Sequence, residues 1–136
     1  RKRARPLGAE LMHIVDTCGW IEWLTDGVLA ESYAPYLADR DNLIVPTLVQ
    51  FELYKWCLRE KDEAAALDVI GLTETCQVRA LDTRIALSAA DLSTRHKLAM
   101  ADAVVYATAL AVGGKLLTSD AHFEGLPEVL FWQKKA

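Results

Sequence analysis

A chain of 136 residues accommodates one domain built on one hydrophobic core. With 52% apolar and 25% charged residues it is not a disordered chain, and its apolar stretches fall short of the roughly 20 residues that a membrane-spanning helix needs. The formal charge of −4 is uneven: the first eleven residues carry +3 (Arg1, Lys2, Arg3 and Arg5 against Glu10) and the remainder −7, from 11 basic and 18 acidic side chains. So acidic a body does not take up nucleic acid by bulk charge; a phosphate-bearing partner requires a local reversal of sign, such as a divalent cation provides.

Residues 1–11 are basic and contain Pro6 and Gly8, so they read as an N-terminal extension or an expression remnant, leaving 12–136 as the folded domain. Leu11 to Val15 is a short apolar strand ending in Asp16-Thr17. Residues 17–25 place Trp20, Ile21, Trp23 and Leu24 at helical spacing, and a second helix is expected over 28–38. Leu43 to Val45 is a buried strand, and Pro46 suits the first turn of a helix that runs to Arg59. Another helix spans 62–74, with Asp62 and Glu63 at its positive end.

Gln77 to Leu81 reads as a third strand. Asp82 caps a helix from Thr83 to Leu92, and an alanine-rich helix over 101–112 is stopped by Gly113-Gly114. Lys115 to Thr118 is a fourth strand and Val129 to Trp132 a fifth. Strands alternating with helices predict an α/β fold: a three-layer α/β/α sandwich with a central parallel sheet of four or five strands.

Four acids stand in positions that this pattern does not need. Asp16 and Asp120 follow the C-terminal ends of two strands, where open α/β sheets bind ligands. Either one alone is also an ordinary cap or turn former. On the third helix Leu48, Val49, Glu52 and Trp56 share one stripe. On the alanine-rich helix Asp102 shares one with Val105, Tyr106 and Ala109. Each acid thus interrupts a face expected to meet the sheet, at a cost in solvation. Singly, each is explained by a salt bridge or a place at the rim of the core. Together, converging carboxylates repel one another unless a cation neutralises them, and an oxygen-only set suits Mg²⁺ or Mn²⁺.

The segments Ile14-Val15-Asp16-Thr17, Phe51-Glu52-Leu53, Leu98 to Ala109 and Leu116-Leu117-Thr118-Ser119-Asp120 followed by Phe123 resemble, in order and spacing, the PIN-domain family, and within it the VapC-like toxins of toxin–antitoxin pairs. The resemblance covers residues 12–132. It implies a parallel sheet of order 3-2-1-4-5 and a Mg²⁺- or Mn²⁺-dependent endoribonuclease, inhibited by a cognate antitoxin and assembled as a homodimer in the cytoplasm. It also implies that Asp16, Glu52, Asp102 and Asp120 are the acidic quartet. Asp16, Asp102 and Asp120 would bind metal, while Glu52 would orient the attacking water or hold a second ion. Thr17 and Thr118 match the family's hydroxyl positions, and Ser119 stands where Asn is common. By analogy with antitoxin arginines, the basic tail could dock at the acids.

The remaining chemistry-bearing residues have plainer readings. His13, His96 and His122 are too far apart in sequence for a local ligand set, and His122 reads as a solvated loop residue. Cys18 reads as a packing residue. The three cysteines, without a CxxC pair, exclude a thiolate zinc site and a paired disulfide framework, as expected of a reducing cytoplasm. Trp20, Trp23, Tyr33 and Tyr36 serve a core, and any excess suits a partner groove. Lys55, Arg59 and Lys61 suit either a helix C-terminus or RNA phosphates. Two rival functions are a PIN-like scaffold that binds RNA or protein without cleaving, and a receiver-like phosphoacceptor domain. The latter needs a Lys after a late strand, and it leaves Glu52 unexplained.

Overall fold

Apolar runs rich in β-branched residues alternate with segments of helical period, and a computed structural model describing residues 12–134 turns each run into a strand. The elements are β1 (His13–Val15), α1 (Thr17–Leu24), α2 (Ala30–Ala38), β2 (Leu43–Pro46), α3 (Thr47–Glu60), α4 (Glu63–Thr73), β3 (Gln77–Arg79), α5 (Thr83–His96), α6 (Met100–Ala111), β4 (Lys115–Thr118), a 3-10 turn (Ala121–Phe123) and β5 (Val129–Phe131). The basic segment 1–11, to which the sequence assigns an extension and a possible docking role, lies outside the described residues.

All strand pairs are parallel and the order is β3-β2-β1-β4-β5, the arrangement the family resemblance implies. A receiver-like domain has its strands in the order 2-1-3-4-5, so that rival does not match. β1 and β2 are buried throughout because helices cover both faces, whereas the edge strand β3 is exposed along its length. Ile14, Val15, Leu43, Val45, Leu116 and Leu117 of the sheet form the core with Val49 and Leu53 of α3 and Val105 and Tyr106 of α6.

Several boundaries differ from expectation, β3 ending at Arg79 rather than Leu81 and β5 at Phe131 rather than Trp132 among them, and three have a local reason. The second helix starts at Ala30 rather than 28, since residues 28 and 29 form a turn closed by the Ala30 amide on the Gly27 carbonyl (3.0 Å), with Leu29 at φ −101° and ψ 8°. Pro46 ends β2 and stands just ahead of α3, because its extended backbone (φ −63°, ψ 144°) keeps it in the ladder, where it is in register with Arg79. The fifth helix continues past Leu92 to His96, where Lys97 stops it by adopting a left-handed conformation (φ 58°) and donating its amide to the Ser93 carbonyl.

Glu22 shows how a buried acid is stabilised structurally. It is enclosed at the end of α1, where the Lys134 ammonium (2.8 Å) and the Leu29 amide donate to its two oxygens. The Lys134 hydrogen bond holds its carboxyl below the usual range.

The close approach of α1 to α2 rests on Gly19, where an added Cβ would lie 2.5 Å from Tyr33 Cε1 and 2.6 Å from Val15 Cγ1. Both neighbours are fully buried and cannot retreat. Gly19→Ala is therefore expected to lower the unfolding free energy by about 1–3 kcal/mol, read from the urea midpoint; an unchanged midpoint would show that the helix pair has room to shift.

Candidate functional site

Asp16 stands one residue past β1, and its amide still donates to the Leu117 carbonyl of β4 (2.9 Å), which fixes it at the border between the two strands. The strand order reverses at this border: β2 and β3 lie to one side of β1, β4 and β5 to the other. Its side chain caps α1, with Oδ1 accepting from the Thr17 amide at 2.9 Å, while Oδ2 accepts from the Thr118 hydroxyl at 2.8 Å. The same hydroxyl accepts the Asp120 amide at 2.9 Å. Thr118 thus ties the two strand-end acids to one oxygen.

Asp16 is only 6% exposed. Burial pushes its carboxyl up to about 6, against the pull of the Thr118 and Thr17 hydrogen bonds and with added repulsion from Asp102 and Glu52.

Glu52 comes from the second turn of α3. The expected stripe is displaced by one position: Val49, Leu53 and Cys57 are the buried line, and Glu52 lies on its half-buried flank with Leu48 and Trp56. From there it reaches α1, where Thr17 Oγ1 donates to Glu52 Oε1 at 2.5 Å. Asp102, in the first turn of α6, does share its side of the helix with buried Val105, Tyr106 and Ala109. Burial raises its carboxyl; repulsion from Asp120 and Glu52 adds to this, and His122 opposes it.

Asp120 caps the 3-10 turn by accepting the His122 amide at 3.0 Å. This fold returns the His122 ring over the acids, with Nδ1 3.1 Å from Asp120 Oδ1 and 3.7 Å from Asp102 Oδ2. Among the described residues, Asp102, Asp120 and His122 are the group whose ligand atoms all lie within 4.8 Å of one another. Asp16 and Glu52 are neighbours of that group, close enough to repel Asp102, but their oxygens are partly committed to Thr118 and Thr17.

His122 is as exposed as a loop histidine should be, yet it is the residue whose position sequence spacing did not predict. The available signal was the separation of two residues from Asp120, since a tight turn after a strand end brings such positions to one side.

The other candidates sort themselves by their contacts. The Ser119 hydroxyl donates to Cys18 Sγ (3.4 Å), so it reaches the acids only through that thiol, which lies 3.7 Å from Asp16 Oδ2. Burial, and then the Asp16 charge, raise the Cys18 thiol, in keeping with a packing role. His13 is buried and bonds the Tyr36 carbonyl (2.9 Å), and His96 packs edge-on to Tyr106. Arg59 pairs with Glu60 and Lys55 lies over the Phe51 ring.

None of the four acids forms an ion pair with Lys or Arg among the described residues, unlike Glu22. Carboxylates so crowded, with only one imidazole nearby, form a donor set that suits a hard divalent cation.

The PIN domain family model matches residues 13–129. Among solved structures, a toxin–antitoxin complex from Klebsiella pneumoniae aligns with a TM-score of 0.75 at 21% identity, over 89% of this chain and 98% of that one. A DNA-bound VapBC from Salmonella typhimurium gives 0.68 at 16% identity, over 90% and 98%. VapBC-1 from nontypeable Haemophilus influenzae gives 0.65 at 18%, also over 90% and 98%. No curated protein matches the chain.

The raised Asp16 carboxyl has a thermodynamic consequence. In the unfolded chain its value is near 3.8 and in the fold about 6, so the folded state binds more protons between these limits. The charged form therefore costs stability above pH 6, and this cost is relieved as pH falls toward 4. In chelator at pH 7.5, Asp16→Asn is expected to be more stable than the parent by about 1–3 kcal/mol, an advantage that shrinks as pH falls below 6 and is gone only below about 3.8. Parallel stability–pH curves for the two proteins would contradict this.

Proposed function

This chain belongs to the PIN-domain family, and from that premise we propose that it is a metal-dependent endoribonuclease, the toxin of a VapC-like toxin–antitoxin pair, held inactive by a cognate antitoxin. The observation that carries the reading is the convergence of Asp16, Glu52, Asp102 and Asp120 at the β1–β4 border without a lysine or arginine partner among the described residues.

Asp102, Asp120 and Asp16 would hold Mg²⁺ or Mn²⁺. When bound, such an ion supplies positive charge to the scissile phosphate and acidifies a water. The chain's own residues supply the positioning. Thr17 occupies Oε1 of Glu52, leaving Oε2 to accept a hydrogen bond from the attacking water and align it with the phosphorus. Thr118 keeps Asp16 and Asp120 at a constant separation as RNA enters. The cation also answers the charge problem, since the domain is net acidic and the phosphate must meet a positive centre. The acids and their hydroxyl clamps are costly to keep in a protein that only binds, which disfavours the non-cleaving scaffold.

The antitoxin reading draws on an apolar groove beside α1, α2 and α4, lined by Trp20, Trp23, Leu37, Leu72 and Cys76, with the exposed Arg40 next to it. Its lining suits the apolar face of an amphipathic helix. The buried Trp20 indole N–H has no acceptor among the described residues, and a partner can provide one. Exposed Phe51 of α3, Leu87 of α5 and Met100 of α6 are apolar surface of the kind a homodimer covers. No helix among the described residues is long and apolar enough to cross a membrane, and a cytoplasmic site of action is part of this proposal.

With a labelled RNA and Mg²⁺ or Mn²⁺, the protein is expected to cleave internally, to stop in EDTA, and to leave the corresponding DNA intact. Asp102→Asn should reduce the rate by on the order of 100-fold or more with its circular dichroism unchanged. Full activity in EDTA or in Asp102→Asn would reject the mechanism, and the absence of any metal-dependent cleavage would favour the scaffold.

A further inference from the structure

The acids account for the charge of the site, but they leave His122 unused. We infer that His122 is a nitrogen ligand of the cation held by Asp102 and Asp120, making the centre a mixed oxygen–nitrogen site that takes Mn²⁺ in preference to Mg²⁺. The inference rests on the metal-centre reading above and adds a ligand and a metal preference to it.

Three observations carry it. The first is distance. Ligands in adjacent positions of an octahedron, each roughly 2.1 Å from the ion, are about 3.0 Å apart. His122 Nδ1 is 3.1 Å from Asp120 Oδ1 and 3.7 Å from Asp102 Oδ2, and the three ligand atoms fit within 4.8 Å. The second is how the ring is held. The Asp120 side chain caps the His122 amide (3.0 Å), and Phe123, the next residue, is fully buried, so the backbone beneath the imidazole is anchored on both sides. The ring itself is 76% exposed. Small rotations about its own bonds can therefore shorten the longer distance without disturbing any packing.

The third observation is donor chemistry. His13 is buried against Tyr36 and His96 packs on Tyr106, which leaves His122 as the imidazole at the acids among the described residues. A site of oxygens alone does not favour Mn²⁺ strongly. Imidazole is a poor ligand for Mg²⁺, which keeps oxygen ligands and water, and a better one for the later, more polarisable divalent ions.

The test uses the full chain freed of metal by chelation, titrated with MnCl₂ and separately with MgCl₂, and Mn²⁺ electron spin-echo spectra of the bound ion. The parent protein is expected to show nitrogen hyperfine coupling to Mn²⁺. His122→Ala should lose that coupling and bind Mn²⁺ at least about tenfold more weakly, the loss that removing even an outer-sphere partner brings, with a smaller change for Mg²⁺. Bound Mn²⁺ without nitrogen coupling in the parent, or an unchanged ratio of Mn²⁺ to Mg²⁺ affinity in His122→Ala, overturns the assignment. If that Mn²⁺ is nevertheless lost in Asp102→Asn, the carboxylate centre stands and only the histidine ligand falls. A parent that binds no Mn²⁺ removes both.

Discussion

Gathering carboxylates at one end of a parallel sheet costs solvation and brings like charges together, and the rest of this structure is arranged around that cost. Asp16 bears most of it, buried at the border of β1 and β4 with its proton affinity raised. The fold offsets part of the penalty with neutral donors. The Thr17 amide and the Thr118 hydroxyl serve Asp16, the Thr17 hydroxyl serves Glu52, and the His122 amide serves Asp120. None of these donors cancels the charge. The group therefore keeps a net negative field that an external cation can satisfy.

Glu22 is the instructive contrast, an acid as little exposed as Asp16 but set close under the surface of the domain. It receives the Lys134 ammonium and a backbone amide, and its carboxyl moves below the usual range where that of Asp16 moves above it. Burial alone does not distinguish a structural acid from a reactive one. The sign of the shift and the identity of the partners do: Asp16 is desolvated deep inside the domain with neutral donors alone, while Glu22 lies close under the surface with an ammonium in reach.

Thr118 is the smallest part on which the arrangement turns. One hydroxyl donates to Asp16 and accepts the Asp120 amide, coupling two residues more than a hundred positions apart in sequence. Since β1 and β4 are adjacent in a parallel sheet, a side chain at the last position of β4 faces the residue just past β1. Ser119, one residue past β4, donates instead to the Cys18 thiol, which itself lies 3.6 Å from the Thr118 hydroxyl and 3.7 Å from Asp16 Oδ2. Thr118 can therefore clamp the acids and Ser119 cannot do so directly.

Much of this was already legible in the chain. Alternating apolar runs and helical periods sufficed for the strands, the helices and the α/β class, since burial in a covered parallel sheet demands continuous apolar residues. Asp102 stood out because an acid on an apolar helix face conflicts with that demand. What lay beyond local pattern was decided by packing across the sheet. A turn closed on the Gly27 carbonyl set the start of the second helix two residues later. The rotation of α3 set Glu52 on the flank of the buried line rather than within it. The turn after Asp120 brought His122 back over Asp102. Periodicity reports which side of an element is apolar, because that depends on neighbours three or four residues away. Which side chains meet across two elements depends on the rotation and register of both, and only the assembled tertiary structure specifies these.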